Sequence, residues 1–330
     1  MIEISAKTRV LLALSMLRGV GPAALRKVAA VSEFEVLSRK DLACHLPRSA
    51  AAGIGEGAWV QAEREADKQV NLAVAAGARI ISSADLGYPQ LLMSTRDDPQ
   101  ILFVKGCLAN VPEKSVAIIG TREPTDHGML IAQRLAAFFA GEGWSVVSGL
   151  AIGCDAAAHE AAIDVGGHTV AVMAHGLQTV APSRHRALAQ RILDCGGALI
   201  AEYPFGQEPL PANFVKRDRI QAGLAQGVVM VQSDLTGGSL HASRAAISYG
   251  RWLAVPYPTE QDIQRSEIKI QGNLLLADGS PTEKVALLRC DERDLRRLII
   301  LRSRNDYTLL VESTDVKEPP RMPPVQGQLL

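Results

Sequence analysis

Short apolar segments alternate with helical segments between residues 115 and 258, and this alternation constrains the fold more than any other feature. The apolar segments are VAIIG, WSVVSG, HTVAVMA, GALIAEY, GVVMVQ and WLAVPY. Strands that alternate with helices predict an α/β fold, here an extended Rossmann-type, doubly wound and mainly parallel sheet with helices on both faces. The carboxyl ends of such strands form the ligand crevice, so functional residues are expected there.

The segments on either side of this alternation predict further units. Residues 1–75 place apolar residues at helical spacing and predict a small N-terminal helical domain of helix-hairpin-helix or SAM-like type. Residues 78–285 are expected to form the Rossmann-like domain, in which Ala78 to Gly106 leads into an edge strand and GNLLLADGSP adds one more strand. Residues 286–330 predict a C-terminal extension with a proline-rich, disordered tail.

The balance of charges excludes a globally basic nucleic-acid binder. The chain has 35 Lys and Arg residues against 35 Asp and Glu residues, so any phosphate site must be local. Five cysteines without a C-x-x-C spacing favour neither a disulfide framework nor a cysteine metal site. No apolar run is long enough for a membrane span and no secretory signal is evident, so we expect a cytoplasmic protein without metal or cofactor.

Glycine-rich turns follow two of the predicted strands. Gly120-Thr121-Arg122 follows the first strand, and Ser148-Gly149 follows the second and precedes a helix. Such turns expose backbone N–H groups to a phosphate, and a neighbouring arginine can add a bidentate contact. Gly237-Gly238-Ser239 forms a similar turn after GVVMVQ, although tight strand-to-helix turn chemistry alone would also explain it. Together these turns predict an extended anion groove.

A basic cluster beside an aromatic residue lies in PLPANFVKRDRIQAGLA. Lys216, Arg217 and Arg219 crowd what we predict to be a helix start, next to Phe214. Cations oppose the dipole at a helix start, which indicates a bound anion. Cations for phosphates and an aromatic face for unpaired bases are what single-stranded nucleic acid requires, while a solvated helix turn with Phe214 in the core is the structural alternative.

Asp155 and His159 stand four residues apart on the helix that follows Ser148-Gly149. We expect Asp155 to cap the helix and His159 to be a core residue bonded to it. A general acid-base pair is disfavoured because neither a nucleophile with its own base nor an H-E-x-x-H spacing accompanies them. The sequence therefore predicts a protein that is not an enzyme.

Several separated motifs, in order, resemble the DNA-processing protein A family (DprA, also called Smf). They are YPQLL, DDPQILFVKG, VAIIGTREPTDHG, VVSGLAIGCDAAAHEAAI, GALIAEYP, NFVKRDRIQAGL and GGSLHASRAA. The resemblance implies a single-stranded DNA-binding protein that protects DNA, forms a homodimer and helps to load the RecA recombinase in natural transformation or recombination. By this resemblance Phe214 stacks a base, and the groove positions are Gly120, Arg122, Ser148, Gly149, Lys216, Arg217, Arg219, Gly237, Gly238 and Ser239.

The chain departs from the family pattern at several positions. The R-N-R of the family reads Arg217-Asp218-Arg219, which places a carboxylate where a neutral amide would meet a phosphate. Gln232 stands where an acidic residue is usual. At the C-terminus, Gln326, Leu329 and Leu330 fit a Q-x-x-L-L pattern similar to peptides that dock on the replication sliding clamp, although so short a pattern often matches by chance.

Two other functions use the same kind of sheet. A nucleotide-binding sensor of the related lysine-decarboxylase-like group, for example in phage defence, stays open, but the P-G-G-x-G-T-x-x-E motif for hydrolysis is absent. A nicotinamide dehydrogenase is excluded because GTREPTDHG lacks the glycines of a pyrophosphate turn.

Overall fold

The computed structural model describes residues 4–51, 55–109 and 114–312. The strands are β1 Ala78–Ser82, β2 Ile101–Gly106, β3 Ser115–Ile119, β4 Ser145–Ser148, β5 Thr169–Met173, β6 Ala198–Ala201, β7 Gly227–Met230, β8 Trp252–Pro256 and β9 Leu298–Leu301. The helices are α1 Ala6–Ser15, α2 Pro22–Ala29, α3 Arg39–Cys44, α4 Arg48–Ala51, α5 Glu56–Ala75, α6 Gln90–Met93, α7 Asp126–Gly141, α8 Cys154–Asp164, α9 Arg186–Asp194, α10 Pro211–Gly223, α11 Ser239–Ser248, α12 Glu260–Gln264, α13 Gln271–Asp278, α14 Pro281–Leu288 and α15 Tyr307–Glu312. Short 3₁₀ helices cover Phe34–Val36, Ser183–His185, Ile268–Ile270, Glu292–Arg297 and Arg304–Asp306.

The strands form a nine-stranded sheet in the order β1-β2-β6-β5-β4-β3-β7-β8-β9. β1 and β2 are antiparallel to their neighbours, and the strands from β6 to β9 across the sheet are parallel. From β3 the chain adds β4, β5 and β6 on one side and then returns to the other side of β3 with β7. This arrangement confirms the predicted doubly wound α/β fold, including all six predicted strands between residues 115 and 258.

Alternate residues of the central strands pack against helices on opposite faces of the sheet. Val116 and Ile118 belong to one hydrophobic cluster with Phe139 of α7, whereas Ala117 belongs to another with Leu240 of α11. The four buried positions Val116, Ala117, Ile118 and Leu240 are 0% exposed. Because both faces are covered, these strands have apolar residues at consecutive positions, as is usual for parallel sheets.

The N-terminal helices share a hydrophobic cluster with one end of the sheet. This cluster contains Leu11 of α1, Phe103 of β2 and Phe205 in the segment after β6. Gln69 of α5 also donates to the carbonyl of Phe205 at 3.1 Å and accepts from its backbone N–H at 2.8 Å. The helical unit predicted at the N-terminus is therefore present, and its boundary as a separate domain at residue 75 stays a prediction.

One predicted strand is wrong, because GNLLLADGSP forms helix α13. The run of three leucines gives no clear period by itself, but Ile270, Asn273 and Leu276 are buried at a spacing of three residues, which indicates a helix. Asn273 donates to the carbonyls of Val231 and Pro256 and thereby fixes the helix next to the ends of β7 and β8.

The C-terminal extension contributes β9 to the sheet beside β8. The predicted disordered tail and the clamp-binding residues Gln326, Leu329 and Leu330 lie outside the described residues. Within the described ranges, the helices are too short or too polar to cross a lipid bilayer.

Candidate nucleic-acid interface

A cavity of about 750 Å³ lies at the carboxyl ends of the parallel strands, and we call it the groove. It is bordered by the loops that follow β3, β4, β5, β6, β7 and β8, and by one side of α10. The lining residues are Ile119, Gly120, Thr121, Arg122, Glu123, Ala151, Ile152, Asp155, Ala181, Pro182, Pro209, Pro211, Phe214, Val215, Arg217, Asp218, Gln221, Ser233, Asp234, Gly237, Gly238, Ser239, Ala242 and Lys269. The groove therefore occupies the crevice that the strand order predicts.

Arg122 and Phe214 meet at the groove. The Arg122 guanidinium carbon lies 5.7 Å from the centre of the Phe214 ring, which is within the range of a cation–π contact. Arg122 is exposed and takes part in no ion pair among the described residues, while Phe214 is half-buried. The pair thus offers an uncommitted cation and an aromatic surface side by side.

Arg217 is committed to the protein backbone. Its side chain is buried and donates to the carbonyl of Gly149 at 2.8 Å and to the carbonyl of Val172. A Cβ atom on Gly149 would lie 2.5 Å from the Arg217 guanidinium, so only glycine leaves room for this arginine. The glycine expected to admit a phosphate therefore admits Arg217, which ties the loop after β4 to the end of β5.

The other two cations of the predicted cluster lie outside the groove lining. Arg219 donates to Glu202 at 2.6 Å and lies 3.8 Å from a carboxylate oxygen of Asp97, whereas Lys216 is exposed. Helix α10 begins at Pro211, so the cluster occupies its second and third turns rather than its start. The prediction of a bound anion from the helix dipole was therefore wrong, and the helical twist turns Arg217 away from Lys216 and Arg219.

Ser148 and Asp155 stabilise the turn after β4 through hydrogen bonds to the backbone. The Ser148 hydroxyl is buried and donates to the carbonyl of Ile118 at 2.6 Å. The Asp155 carboxylate accepts from the backbone N–H groups of Gly149 and Ala151 at 3.1 and 3.4 Å. Burial raises the pKa of Asp155, and the positive charge of Arg217 opposes this effect.

The expected cap and its partner histidine differ from the prediction. The N-cap of α8 is Gly153, and Asp155 lies in the first turn of the helix. His159 is fully buried, as expected for a core residue, but its Nδ1 contacts the Thr169 hydroxyl at 2.7 Å. Because that hydroxyl donates to the carbonyl of Val146, His159 carries the proton on Nδ1. Burial lowers its pKa to about 3, so the side chain is neutral.

Asp218 forms part of the groove floor. Its Oδ1 accepts from Gln221 at 2.9 Å and faces the Arg217 Nε at 3.3 Å, and no described residue donates to its Oδ2. Burial raises the pKa of Asp218 to about 7, with Arg217 lowering it and Asp155 raising it further. Near neutral pH the carboxyl is therefore divided between its neutral and ionised forms.

Gly237, Gly238 and Ser239 lie together in the groove at the start of α11. Gly238 is the N-cap residue, and no atom lies within 4 Å of the position of an added Cβ. The Ser239 hydroxyl is buried and has no partner in the described part of the chain. Of the predicted site residues, the structure places these three, Gly120, Arg122, Phe214 and Arg217 in the lining.

Three charged lining residues were not singled out from the sequence, namely Glu123, Asp234 and Lys269. Lys269 lies in the 3₁₀ helix after α12, and its Nζ is 3.3 Å from Asp234 and 3.6 Å from Glu123. With Arg122 and Arg217 the described lining contains three cations, while Glu123, Asp155, Asp218 and Asp234 supply four carboxyl groups. No motif indicated Lys269, because it stands alone in SEIKIQ, outside any glycine-rich turn or basic cluster.

Gln232 has a structural role below the groove. Its side chain accepts from the backbone N–H of Thr125 at 3.0 Å and donates to the Thr125 hydroxyl at 2.9 Å. Thr125 is the N-cap residue of α7, so this neutral side chain connects the end of β7 to the start of that helix.

Curated relatives match a large part of the chain. It is 40% identical over 172 residues to Protein Smf of Escherichia coli, covering 52% of this chain and 46% of that protein. It is 30% identical over 267 residues to Protein Smf of Synechocystis, covering 77% and 65% of the two chains. It is 35% identical over 182 residues to DNA processing protein DprA of Bacillus subtilis, covering 54% and 61%. The matches thus span less than two thirds of the length of each relative.

Solved structures and a family model agree with these relatives. The X-ray structure of DNA processing protein A from Streptococcus pneumoniae has a TM-score of 0.66 and 26% identity, covering 84% of this chain and 98% of that chain. A structure of DNA processing protein A from Helicobacter pylori shares the fold, with a TM-score of 0.57, 23% identity and coverage of 72% and 96%. The family model for DNA recombination-mediator protein A matches residues 79–281. The chain belongs to the DNA recombination-mediator protein A family, which includes the DprA and Smf proteins.

Proposed function

We propose that the groove binds single-stranded DNA and that the protein delivers this DNA to a recombinase of the RecA type. The observation that carries the proposal is the contact between Arg122 and Phe214 in an open groove at the carboxyl ends of the strands. Membership of the family supports it, and so does the single-stranded DNA binding mode of the Helicobacter pylori protein.

The chemistry of the Arg122–Phe214 pair suits an unpaired nucleotide. A base can stack on the half-buried Phe214 ring, which contributes about 1 to 3 kcal/mol per base in proteins that bind single strands. The Arg122 guanidinium has planar donors for the adjacent phosphate and forms no ion pair among the described residues, and its charge lowers the pKa of the nearby Asp218 carboxyl. A duplex keeps its bases stacked inside, so this arrangement favours a single strand.

Arg217 serves the groove indirectly. Its bonds to the carbonyls of Gly149 and Val172 hold two loops in position, and its guanidinium carbon lies 5.9 Å from the centre of the Phe214 ring. Both guanidinium groups thus lie close to the Phe214 ring, and of the two only Arg122 is exposed. We therefore assign Arg122 to phosphate contact and Arg217 to support of the stacking ring, whereas the exposed Lys216 lies outside the groove lining.

Fluorescence anisotropy with a labelled oligothymidine tests the proposal. Arg122→Ala is expected to weaken binding and to lower the salt dependence by a slope of about 0.7, the value for one phosphate contact on a single strand. Phe214→Leu is expected to weaken binding about fivefold or more without changing that slope, because it removes only a stacking surface. Arg296→Ala, which removes an exposed cation away from the groove, is the matched control. Binding that is unaffected by salt and by both groove variants would contradict the proposal.

Delivery to a recombinase and homodimer formation are further parts of the proposal. They rest on family membership, and their use in natural transformation or another recombination process is inferred in the same way. Loading is tested by measuring whether the protein accelerates RecA filament formation on DNA coated with single-strand-binding protein, with Arg122→Ala as the binding-deficient comparison. Equal rates with and without the protein would remove the loading role and leave DNA binding intact.

A nucleotide-binding sensor is a second candidate because three cations against four carboxyl groups in the described lining suit a ligand with fewer phosphates than a DNA strand. A largely apolar cavity of about 750 Å³ also suits a small ligand. A thermal-shift screen with ribonucleotides and deoxyribonucleotides distinguishes the two functions, since a ligand that binds only the folded state raises the unfolding temperature. Stabilisation by a mononucleotide together with no binding of oligothymidine would favour the sensor.

A further inference from the structure

Lys269 lines the groove but belongs to none of the sequence motifs. It belongs to the short 3₁₀ helix Ile268–Ile270, and its backbone N–H donates to the Glu267 side chain. Its ammonium group reaches across to two other loops, the one after β3 through Glu123 and the one after β7 through Asp234. Lys269 is thus a cation located where three loops of the groove meet.

The two carboxylates that hold Lys269 differ in how firmly they are fixed. The Asp234 side chain is only 22% exposed and also accepts from the backbone N–H and the hydroxyl of Thr236, at 2.9 and 3.1 Å. The Glu123 side chain is 79% exposed, and the contact with Lys269 at 3.6 Å is its one ion pair among the described residues. An exposed pair of this kind contributes little free energy and is readily replaced.

We infer that Lys269 binds a second phosphate of the single strand, exchanging its exposed ion pair with Glu123 for the phosphate while Asp234 keeps it in position. The inference rests on the proposed function of the groove. It names a further nucleic-acid contact, adjacent to the phosphate that Arg122 is proposed to hold.

The position of Glu123 supports this exchange. It follows Arg122 directly in the chain and pairs with Lys269, and all three side chains line the same groove. A strand held at Arg122 brings its neighbouring phosphate towards the same place, where the charge of Glu123 repels it. The strand supplies an anion that is already immobilised by its other contacts, whereas Glu123 must give up side-chain freedom to pair with Lys269.

The inference predicts opposite effects for two charge-changing variants. Lys269→Ala is expected to lower the salt slope of oligothymidine binding by about 0.7. The fold loss of affinity should therefore be about 2.6 times larger at roughly 50 mM salt than at roughly 200 mM salt. Glu123→Gln is expected to raise the affinity about two- to fivefold, because it removes the competing anion and its repulsion. Arg265→Ala, at an exposed cation outside the groove in the same segment, is the matched control.

A purely structural role for Lys269 gives a different result. If Lys269 only fixed the loop after β7, Glu123→Gln would leave binding unchanged, and Lys269→Ala would weaken binding with the slope intact. Either of these results overturns the inference, whereas a restored slope in Lys269→Arg supports it. If the wild type itself shows no salt-dependent binding, the proposed function fails together with the inference. If the wild type and Arg122→Ala behave as proposed but Lys269→Ala keeps the wild-type slope, only the inference fails.

Discussion

Asp218→Asn is expected to make the folded protein more stable, and increasingly so as the pH rises. In the folded state burial raises the pKa of Asp218 from 3.8 to about 7. Since a tenfold change in proton affinity corresponds to about 1.4 kcal/mol, the ionised carboxyl destabilises the folded state by about 4 kcal/mol above pH 7. Below pH 3.8 the carboxyl is neutral in both states and the destabilisation is absent. The destabilisation therefore develops between pH 3.8 and about pH 7.

Asparagine is a close replacement because its carbonyl can accept from Gln221 and Arg217 as the Asp218 Oδ1 does. The variant is expected to exceed the wild type in unfolding free energy by about 2 kcal/mol at pH 5.5 and by about 4 kcal/mol at pH 8. For a domain of this size the gain in Tm should be roughly 2 to 4 °C per kcal/mol.

Thermal and urea unfolding of both proteins at the two pH values provide the measurement. Glu63→Gln removes one exposed carboxylate on α5 and serves as the charge control. A stability difference that is the same at pH 5.5 and pH 8, or a variant less stable than the wild type at pH 8, would refute the reasoning. The first result would mean that Asp218 is solvated well enough to ionise normally.

The remaining predictions concern the support of the groove and the core beside it. Gly149→Ala is expected to destabilise the protein by about 3 kcal/mol in urea unfolding, because it displaces the buried Arg217 guanidinium from its carbonyl partners. Gly238→Ala, whose Cβ meets no atom, should be nearly neutral, and equal losses would contradict this account. His159 is buried and neutral with a pKa of about 3, so the wild type should lose about 2 kcal/mol as the pH falls from 6.5 to 5. In His159→Gln that part of the pH dependence should disappear, and an unchanged dependence would show that another group takes up the proton.

The sheet could be predicted from the sequence because each of its central strands is a short apolar run that the fold buries on both faces. Arg122 and Phe214 could also be predicted, since one follows a strand end and the other begins a basic stretch. The roles of Arg217 and Arg219 could not be predicted, because residues two positions apart in a helix point to opposite sides and their partners come from distant parts of the chain.

Lys269 could not be predicted for a related reason. Its partners Glu123 and Asp234 are far from it in the chain, and they approach it only when the loops after β3, β7 and β8 meet at one edge of the sheet. The helix α13 was missed because three consecutive leucines have no period, and the buried Asn273 that positions the helix is polar.

The contacts between the N-terminal helices and the segment after β6 can form only late in synthesis. Leu11 and Gln69 are made early, but their partner Phe205 leaves the ribosome much later. At a bacterial elongation rate of about 5 to 20 residues per second, the delay after α5 is on the order of ten seconds. For most of that time, of the strands in the same hydrophobic cluster, only β1 and β2 have been made to cover the apolar surface of the first helices. The beginning of this chain therefore leaves part of its apolar surface uncovered while the rest is translated.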